Sequence, residues 1–249
     1  MQRLIFVALL AASISTIAIF AHAAENEWSY TGANGPKQWS KLGSNFHACA
    51  GNQQSPVAIQ SSDAFAANVP EVFLELEQFK PTVTNGSHVI SIEPQGTGGS
   101  LLYGGKTYKL GEISLHHGSG HIVDGRQFPL EAHFVHASDE GEFFILSVLF
   151  LEGPANSTLQ TILENTPSSK GRKKGSQIID PMQMIPVDNR FFRYKGSLTM
   201  PPCTENVTWH LYKQTLTASK AQISAMGRLY KNNHRPVQAL NRRYILQEK

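Results

Sequence analysis

Residues 112–125 read EISLHHGSGHIVDG, and twelve residues past His121 comes His133, in the stretch LEAHFVH. Neutral imidazoles ligate zinc, and a carboxylate behind an imidazole takes its second ring N–H and fixes its tautomer. If both stretches are strands, alternation decides which side chains cooperate. The first then carries Glu112, Ser114 and His116 on one face, with His117 turned away. The second carries Glu131, His133 and Val135 on one face, and Ala132, Phe134 and His136 on the other. As neighbours, these strands bring His116 and His133 towards one point, with Glu131 placed to orient a ligand. A histidine at 114 would complete three imidazoles and leave a fourth tetrahedral position open, as a catalytic zinc requires. The residue there is Ser114. Its hydroxyl ends one bond beyond Cβ, and zinc–nitrogen bonds are only ~2.0–2.1 Å long. Ser114 therefore cannot ligate where a histidine would without backbone movement.

The elements that must position these groups read as strands through the middle of the chain. Val89–Ile92 is one. Leu101–Tyr103, the turn Gly104–Gly105 and Thr107–Leu110 read as a hairpin. Ile113–His116, Leu130–His136 and Phe143–Leu151 follow. Helices are few. Ser157 is placed to cap Thr158–Asn165, with Pro167 ending it. Ser219 followed by Gln222 is a capping-box pattern ahead of Ile223, Met226 and Tyr230. Trp28 to Pro56 reads as irregular, and the cluster Lys170-Gly171-Arg172-Lys173-Lys174 reads as a solvated loop. The expected fold is mainly β, one domain with a large, mostly antiparallel central sheet and a few short peripheral helices.

The chain has 249 residues. Residues 1–23 have Arg3 ahead of an apolar run from Leu4 and close on Ala21-His22-Ala23, a small-x-small pattern that predicts a signal peptide cleaved after Ala23. The alternative is an uncleaved membrane anchor. The remaining domain, 24–249, has no other stretch able to span a bilayer. A net charge of +3 for the whole chain is too small to imply nucleic acid. The even cysteine count in an exported chain suggests a Cys49–Cys203 disulfide, the alternative being two buried thiols. Periplasmic or secreted location follows from the leader.

The stretches WSYTGANGPKQW, CAGNQQSPVAI, NGSHVISIE, YKLGEISLHHGSGHIVDG, FPLEAHFVH, YKGSLTMPPCTENVTW and HRPVQALNRR occur in the order and spacing of the α-class carbonic anhydrases, which the chain resembles over nearly its whole length after residue 23. That resemblance implies a zinc-dependent, reversible hydration of CO2 to bicarbonate. It places the second and third zinc ligands on His116 and His133, and the first on Ser114. It also implies His88 as proton shuttle, Tyr30 in the water network, Glu131 behind a ligand, and Val135, Ile145, Leu198 and Trp209 as the apolar wall where CO2 lodges. Thr199 matches the threonine that orients the metal-bound hydroxide. The glutamate that holds this threonine in the family is Gly120 here, and Met200 stands where the family often has a smaller or polar residue. His121 matches a structural histidine and not a ligand. With both Ser114 and Gly120, the expectation is weak or partial zinc occupancy and weak or absent hydration. The alternative is an active enzyme that tolerates both substitutions. CO2 and bicarbonate are the expected partners only if it is active, with neither nucleic acid nor membrane.

Overall fold

The computed structural model describes residues 28–249; the segment 1–23, expected to be a leader, lies outside the described residues. The strands in chain order are β1 (Ala58–Ile59), β2 (Phe65–Ala67), β3 (Val72–Leu76), β4 (Pro81–Asn85), β5 (Ile90–Pro94), β6 (Gly99–Tyr103), β7 (Lys106–His117), β8 (Ile122–Val123), β9 (Arg126–Gln127), β10 (Leu130–Ala137), β11 (Phe143–Glu152), β12 (Gly171–Lys174), β13 (Phe191–Ser197), β14 (Glu205–Tyr212), β15 (Leu216–Ala218) and β16 (Leu246–Glu248). The helices are α1 (Ser157–Asn165) and α2 (Lys220–Leu229), with short 3-10 turns elsewhere.

The main sheet runs β12-β4-β5-β7-β10-β11-β14-β13-β16-β2, with β3, β6 and β15 attached to it. It is mixed. Most pairs are antiparallel, but β11 runs parallel to β14 and β15, and β16 to β2. The central strands β10 and β11 are buried along almost their whole length. Their apolar residues therefore need not alternate with polar ones, because a core cluster covers each face. Ile113, Leu115, Phe134, Leu146 and Val148 enter one cluster. Ile145, Leu149, Trp209 and Leu211 enter the other, with Val135 and Leu198 packed against it. Each fully buried large apolar side chain contributes roughly 1.5–3 kcal/mol by leaving water.

Local sequence accounts for most boundaries. The β6–β7 hairpin turns at Gly104 and Gly105, whose φ values of +58° and +80° suit a two-residue turn that glycine enters without steric cost. The strand after it is longer than its sequence pattern suggests: Thr107–Leu110 and Ile113–His116 are one strand, Lys106–His117. Helix α2 has the capping box of Ser219 and Gln222. Helix α1 begins one residue earlier than expected, because the Asn156 side chain and not Ser157 caps it by accepting from the Leu159 N–H at 2.9 Å. The basic stretch is also not a loop. Gly171–Lys174 pairs with β4 as a fully exposed edge strand. Backbone pairing outweighs its poor strand composition, and the charges suit an edge that must not recruit further strands.

The 28–56 segment is irregular, with 3-10 turns packed over Trp28, Trp39 and Phe46. Cys49 and Cys203 are bonded, with Cα atoms 4.9 Å apart, in this same cluster. The bond ties the segment to the loop that carries Thr199 and Met200.

Candidate metal centre

The register decides which groups meet. Across β7 and β10, His133 lies opposite Ser114, Glu131 opposite His116, and Val135 opposite Glu112. Across β5 and β7, Ser91 lies opposite Ser114. Across β10 and β11, His133 lies opposite Ser147 and Val135 opposite Ile145; Ile145 in turn lies opposite Trp209 on β14. One face of the sheet thus presents Glu112, Ser114, His116, Glu131 and His133, flanked by the apolar row of Val135, Ile145 and Trp209.

Glu131 is fully buried and is the hub of this face. One carboxylate oxygen accepts from His121 Nδ1 at 2.6 Å, His133 Nε2 at 2.8 Å and the Ser147 hydroxyl at 2.6 Å. The other accepts from the backbone N–H groups of Gly120 at 2.8 Å and His121 at 3.1 Å. Burial alone would raise its pKa, but the two imidazoles and the donated hydrogen bonds outweigh that and hold it well below the usual carboxylate range. His121 also bonds the Tyr194 hydroxyl through Nε2 at 2.7 Å, so both its nitrogens are used in structure.

His116 is oriented from elsewhere. Its Nδ1 bonds the backbone carbonyl of Asn233 at 2.7 Å. A carbonyl only accepts, so Nδ1 carries the proton and Nε2 the lone pair. That Nε2 is buried and has no hydrogen-bond partner. Burial, then the neighbouring His133, pushes the pKa of His116 down to about 3, so the ring is neutral. On His133 the proton on Nε2 faces Glu131, which leaves the Nδ1 lone pair available. The two rings lie 4.5 Å apart, centre to centre. Asn233 does more than orient His116. Its side chain accepts from the His117 N–H at 2.6 Å and donates to the Leu115 and His88 carbonyls.

These contacts test the fit to zinc. His121, Glu131 and His133 place ligand-type atoms within 4.8 Å of one another. Protons already occupy the His121–Glu131 and His133–Glu131 gaps, so this cluster is a hydrogen-bonded support. The free lone pairs belong to His116 and His133. Ser114, 2 % exposed, stands beside them with a side chain too short to be a third ligand. The residues present do not fit a zinc held by three imidazoles.

The other expected site residues are placed as follows. His88 stacks on Trp28, ring centres 3.6 Å apart and 12° from parallel, and its Nε2 bonds the Trp28 carbonyl at 2.8 Å. The Tyr30 hydroxyl is buried without a hydrogen-bond partner, and burial holds its pKa far above the usual phenol range. Thr199 is 8 % exposed. Gly120 has no side chain to offer it, and a Cβ there would meet Pro56 at 3.0 Å. His117 leans away and bonds the Lys231 carbonyl. His136 is on the opposite face, fully buried. Trp209 donates to the Ser197 carbonyl at 3.0 Å and so is fixed as wall.

Reading by residue type missed Asn233, Ser147 and Glu112. Ser147 and Glu112 were open to discovery by strand pairing, since they lie in the rows of His133 and Val135. Asn233 has no sequence signal, being far from the strands it braces. Glu112 has its pKa pushed up to about 7, by burial and then by Glu93, while a hydrogen bond from the Ser91 hydroxyl works the other way.

Residues 34–249 match the model of the eukaryotic-type carbonic anhydrase family. The chain belongs to the α-carbonic anhydrase family. It is 35 % identical over 235 residues to a carbonic anhydrase of Nostoc sp., covering 91 % of this chain and 88 % of that one. The α-carbonic anhydrase of Thermovibrio ammonificans, solved with the inhibitor sulfanilamide, superposes with a TM-score of 0.84 at 34 % identity, covering 88 % of this chain and 98 % of that chain. A dioscorin complexed with ascorbate superposes with a TM-score of 0.83 at 28 % identity, covering 90 % and 98 %. α-Carbonic anhydrases are zinc enzymes, and CO2 and bicarbonate are their general substrates. Among the described residues no helix is long and apolar enough to cross a membrane.

Proposed function

We propose that this chain is an exported α-carbonic anhydrase relative whose CO2 hydration is weak or absent, and whose pocket holds a small ligand in place of rapid turnover. The observation that carries this reading is Ser114, in register beside His133 where a third imidazole is needed. Two lone pairs remain, so zinc is held weakly or at partial occupancy. Losing even a group that only orients a ligand costs ~10–100-fold in affinity or activity, and losing a ligand costs at least as much. Gly120 adds a second deficit, since nothing at that position fixes the hydroxyl of Thr199. If zinc were held here, His116 and His133 would hold it and it would supply an acidified water; the chain's own groups supply the rest. Glu131 orients His133, while Val135, Ile145, Leu198 and Trp209 form an apolar wall. His88 and Tyr30 lie towards the N-terminal cover, where His88 serves as proton shuttle if turnover occurs. The dioscorin likeness supports a binding role, because that protein is complexed with ascorbate on the same fold. Residues 1–23 act as a cleaved leader in this reading, giving a periplasmic or secreted domain of residues 24–249. Stopped-flow CO2 hydration at saturating zinc tests it. The expected rate is near the uncatalysed one; ordinary family rates refute the proposal.

A further inference from the structure

The face of the sheet opposite Trp209 offers a different chemistry. His210 and Tyr212 alternate with Trp209 and Leu211 along β14, so they point to the other side. There they line a cavity of about 350 Å³, bounded by the β2–β3 connection, Asn189 ahead of β13 and the C-terminal strand β16. We propose that this cavity binds a small carboxylate with an apolar body, its carboxylate seated against His210 and Tyr212 in front of the Arg193 guanidinium.

Arg193 is the observation that carries this furthest. It lies opposite His210 in the β13–β14 ladder and is 3 % exposed. Its Nη1 donates to the Pro70 carbonyl at 2.8 Å, and its Nη2 to His210 Nδ1 at 2.9 Å. Its Nε is buried without a hydrogen-bond partner. Among the described residues no carboxylate pairs with it. The rings of Tyr103 and Phe191, 4.7 and 4.2 Å from its central carbon, offset only part of the charge. A buried cation without its counter-charge is costly, and an anion close by lowers that cost.

His210 passes this preference to the cavity. Its Nδ1 accepts from Arg193, so in the neutral ring Nε2 carries the proton. Burial and then Arg193 hold its pKa well below the usual imidazole range, which keeps the ring neutral. Stacking on Phe191, ring centres 4.3 Å apart, fixes the plane of the ring. The Tyr212 ring lies 4.9 Å from it, and the Tyr212 pKa is pushed up to about 12, chiefly by burial, so its hydroxyl keeps its proton. An N–H and an O–H side by side suit a carboxylate, which accepts from both. Pro70, Val72 and Phe191 line the cavity beside them and suit an apolar body. The acidic neighbours do not occupy the donors. Glu248 accepts from the Phe191 N–H at 2.9 Å and pairs with Lys213 at 3.3 Å. Glu71 is exposed to water, and the exposed Lys249 adds a positive charge.

Isothermal titration calorimetry of the full chain with benzoate at neutral pH tests this. One saturable site per chain is expected. Benzamide, of the same shape but uncharged, should bind at least ~10-fold more weakly. Tyr212→Phe removes one oxygen and should weaken benzoate about 10-fold. Arg193→Met should weaken it further, with a melting curve to show that the variant is folded; if it is not, Tyr212→Phe and the benzamide comparison still decide. His116→Ala should leave benzoate affinity unchanged, because it alters the other face of the sheet. No saturation at millimolar benzoate, equal affinity for benzamide, or affinity lost in His116→Ala but kept in Tyr212→Phe overturns the inference.

Discussion

On β10, Glu131 gathers five hydrogen bonds and His133 is fixed by one of them. On β7, facing the same space, the row Glu112–Ser114–His116 has a small hydroxyl at its centre and, at Glu112, a carboxyl pushed up to about 7 by burial and by Glu93. The two strands differ in what each change would cost the fold. A buried carboxylate cannot lose its donors, nor they their acceptor, without leaving polar groups unpaired in a low dielectric. Small residues stand at Ser114 and Gly120, and beside Ser114 only the Nε2 of His116 is left buried without a hydrogen-bond partner. Features that double as structure persist, so the survival of the Glu131 hub and of the apolar wall says little about catalysis.

The largest test of this contrast is Glu131→Ala. It strands His121, His133, Ser147 and two backbone N–H groups, and should cost about 3–5 kcal/mol in urea unfolding. A cost below about 1 kcal/mol would break the comparison, since the hub would then be dispensable. Next is Asn233→Ala, which removes the side-chain brace between β7 and the loop before β5 but keeps the backbone carbonyl that orients His116. Stability should fall by about 1–3 kcal/mol, while a ring-nitrogen NMR spectrum should still show His116 protonated on Nδ1.

How much was legible in the sequence follows the same division. Period-two alternation made His116, His133 and Glu131 neighbours on paper, and the gap at Ser114 was visible for that reason. Glu112 stood in the same row but carried no special meaning until β5 supplied Ser91 across the sheet. Asn233 could not be foreseen, because its role depends on a loop more than a hundred residues from β7 in sequence returning to it. The α1 start was misplaced by one residue because Asn156 and Ser157 both cap helices well. The edge strand β12 was read as a loop because its charges mark solvent exposure, which an edge strand shares.

pH sharpens the contrast further. His136, on the far face of β10, has its pKa pushed down to about 4, chiefly by burial. Its unfolded form binds a proton near pH ~6.5, so the unfolded chain holds more protons as pH falls below that value. Stability contributed by neutral His136 is therefore full above pH ~6.5 and declines towards pH ~4; between pH ~7 and pH ~5 the loss is about 2 kcal/mol. His116 acts with the same sign. Urea midpoints measured across this range check it, and a flat profile would mean that these imidazoles are hydrated.

The smallest expected effect concerns chemistry on β7. Ser114→His should tighten zinc at least ~10-fold by equilibrium dialysis, with hydration only partly restored because Thr199 still lacks its acceptor. Gly120→Glu alone should restore little, since its Cβ arrives 3.0 Å from Pro56 and there is no well-held metal water to orient. A full return of activity from Ser114→His alone would show that Gly120 carries no penalty.

The Cys49–Cys203 bond spans 154 residues of sequence and so encloses β1 to β13, with every strand of the metal face except β14. One protease cut anywhere inside that span, for example at the exposed Asp139–Glu140 tip between β10 and β11, severs the backbone without separating the pieces. The nicked chain should run as a single band until a reductant is added, and its halves should stay registered through the β10–β11 ladder. In any compartment where proteases are common and glutathione is scarce, that would make the molecule tolerant of a wound that would dismantle a reduced one.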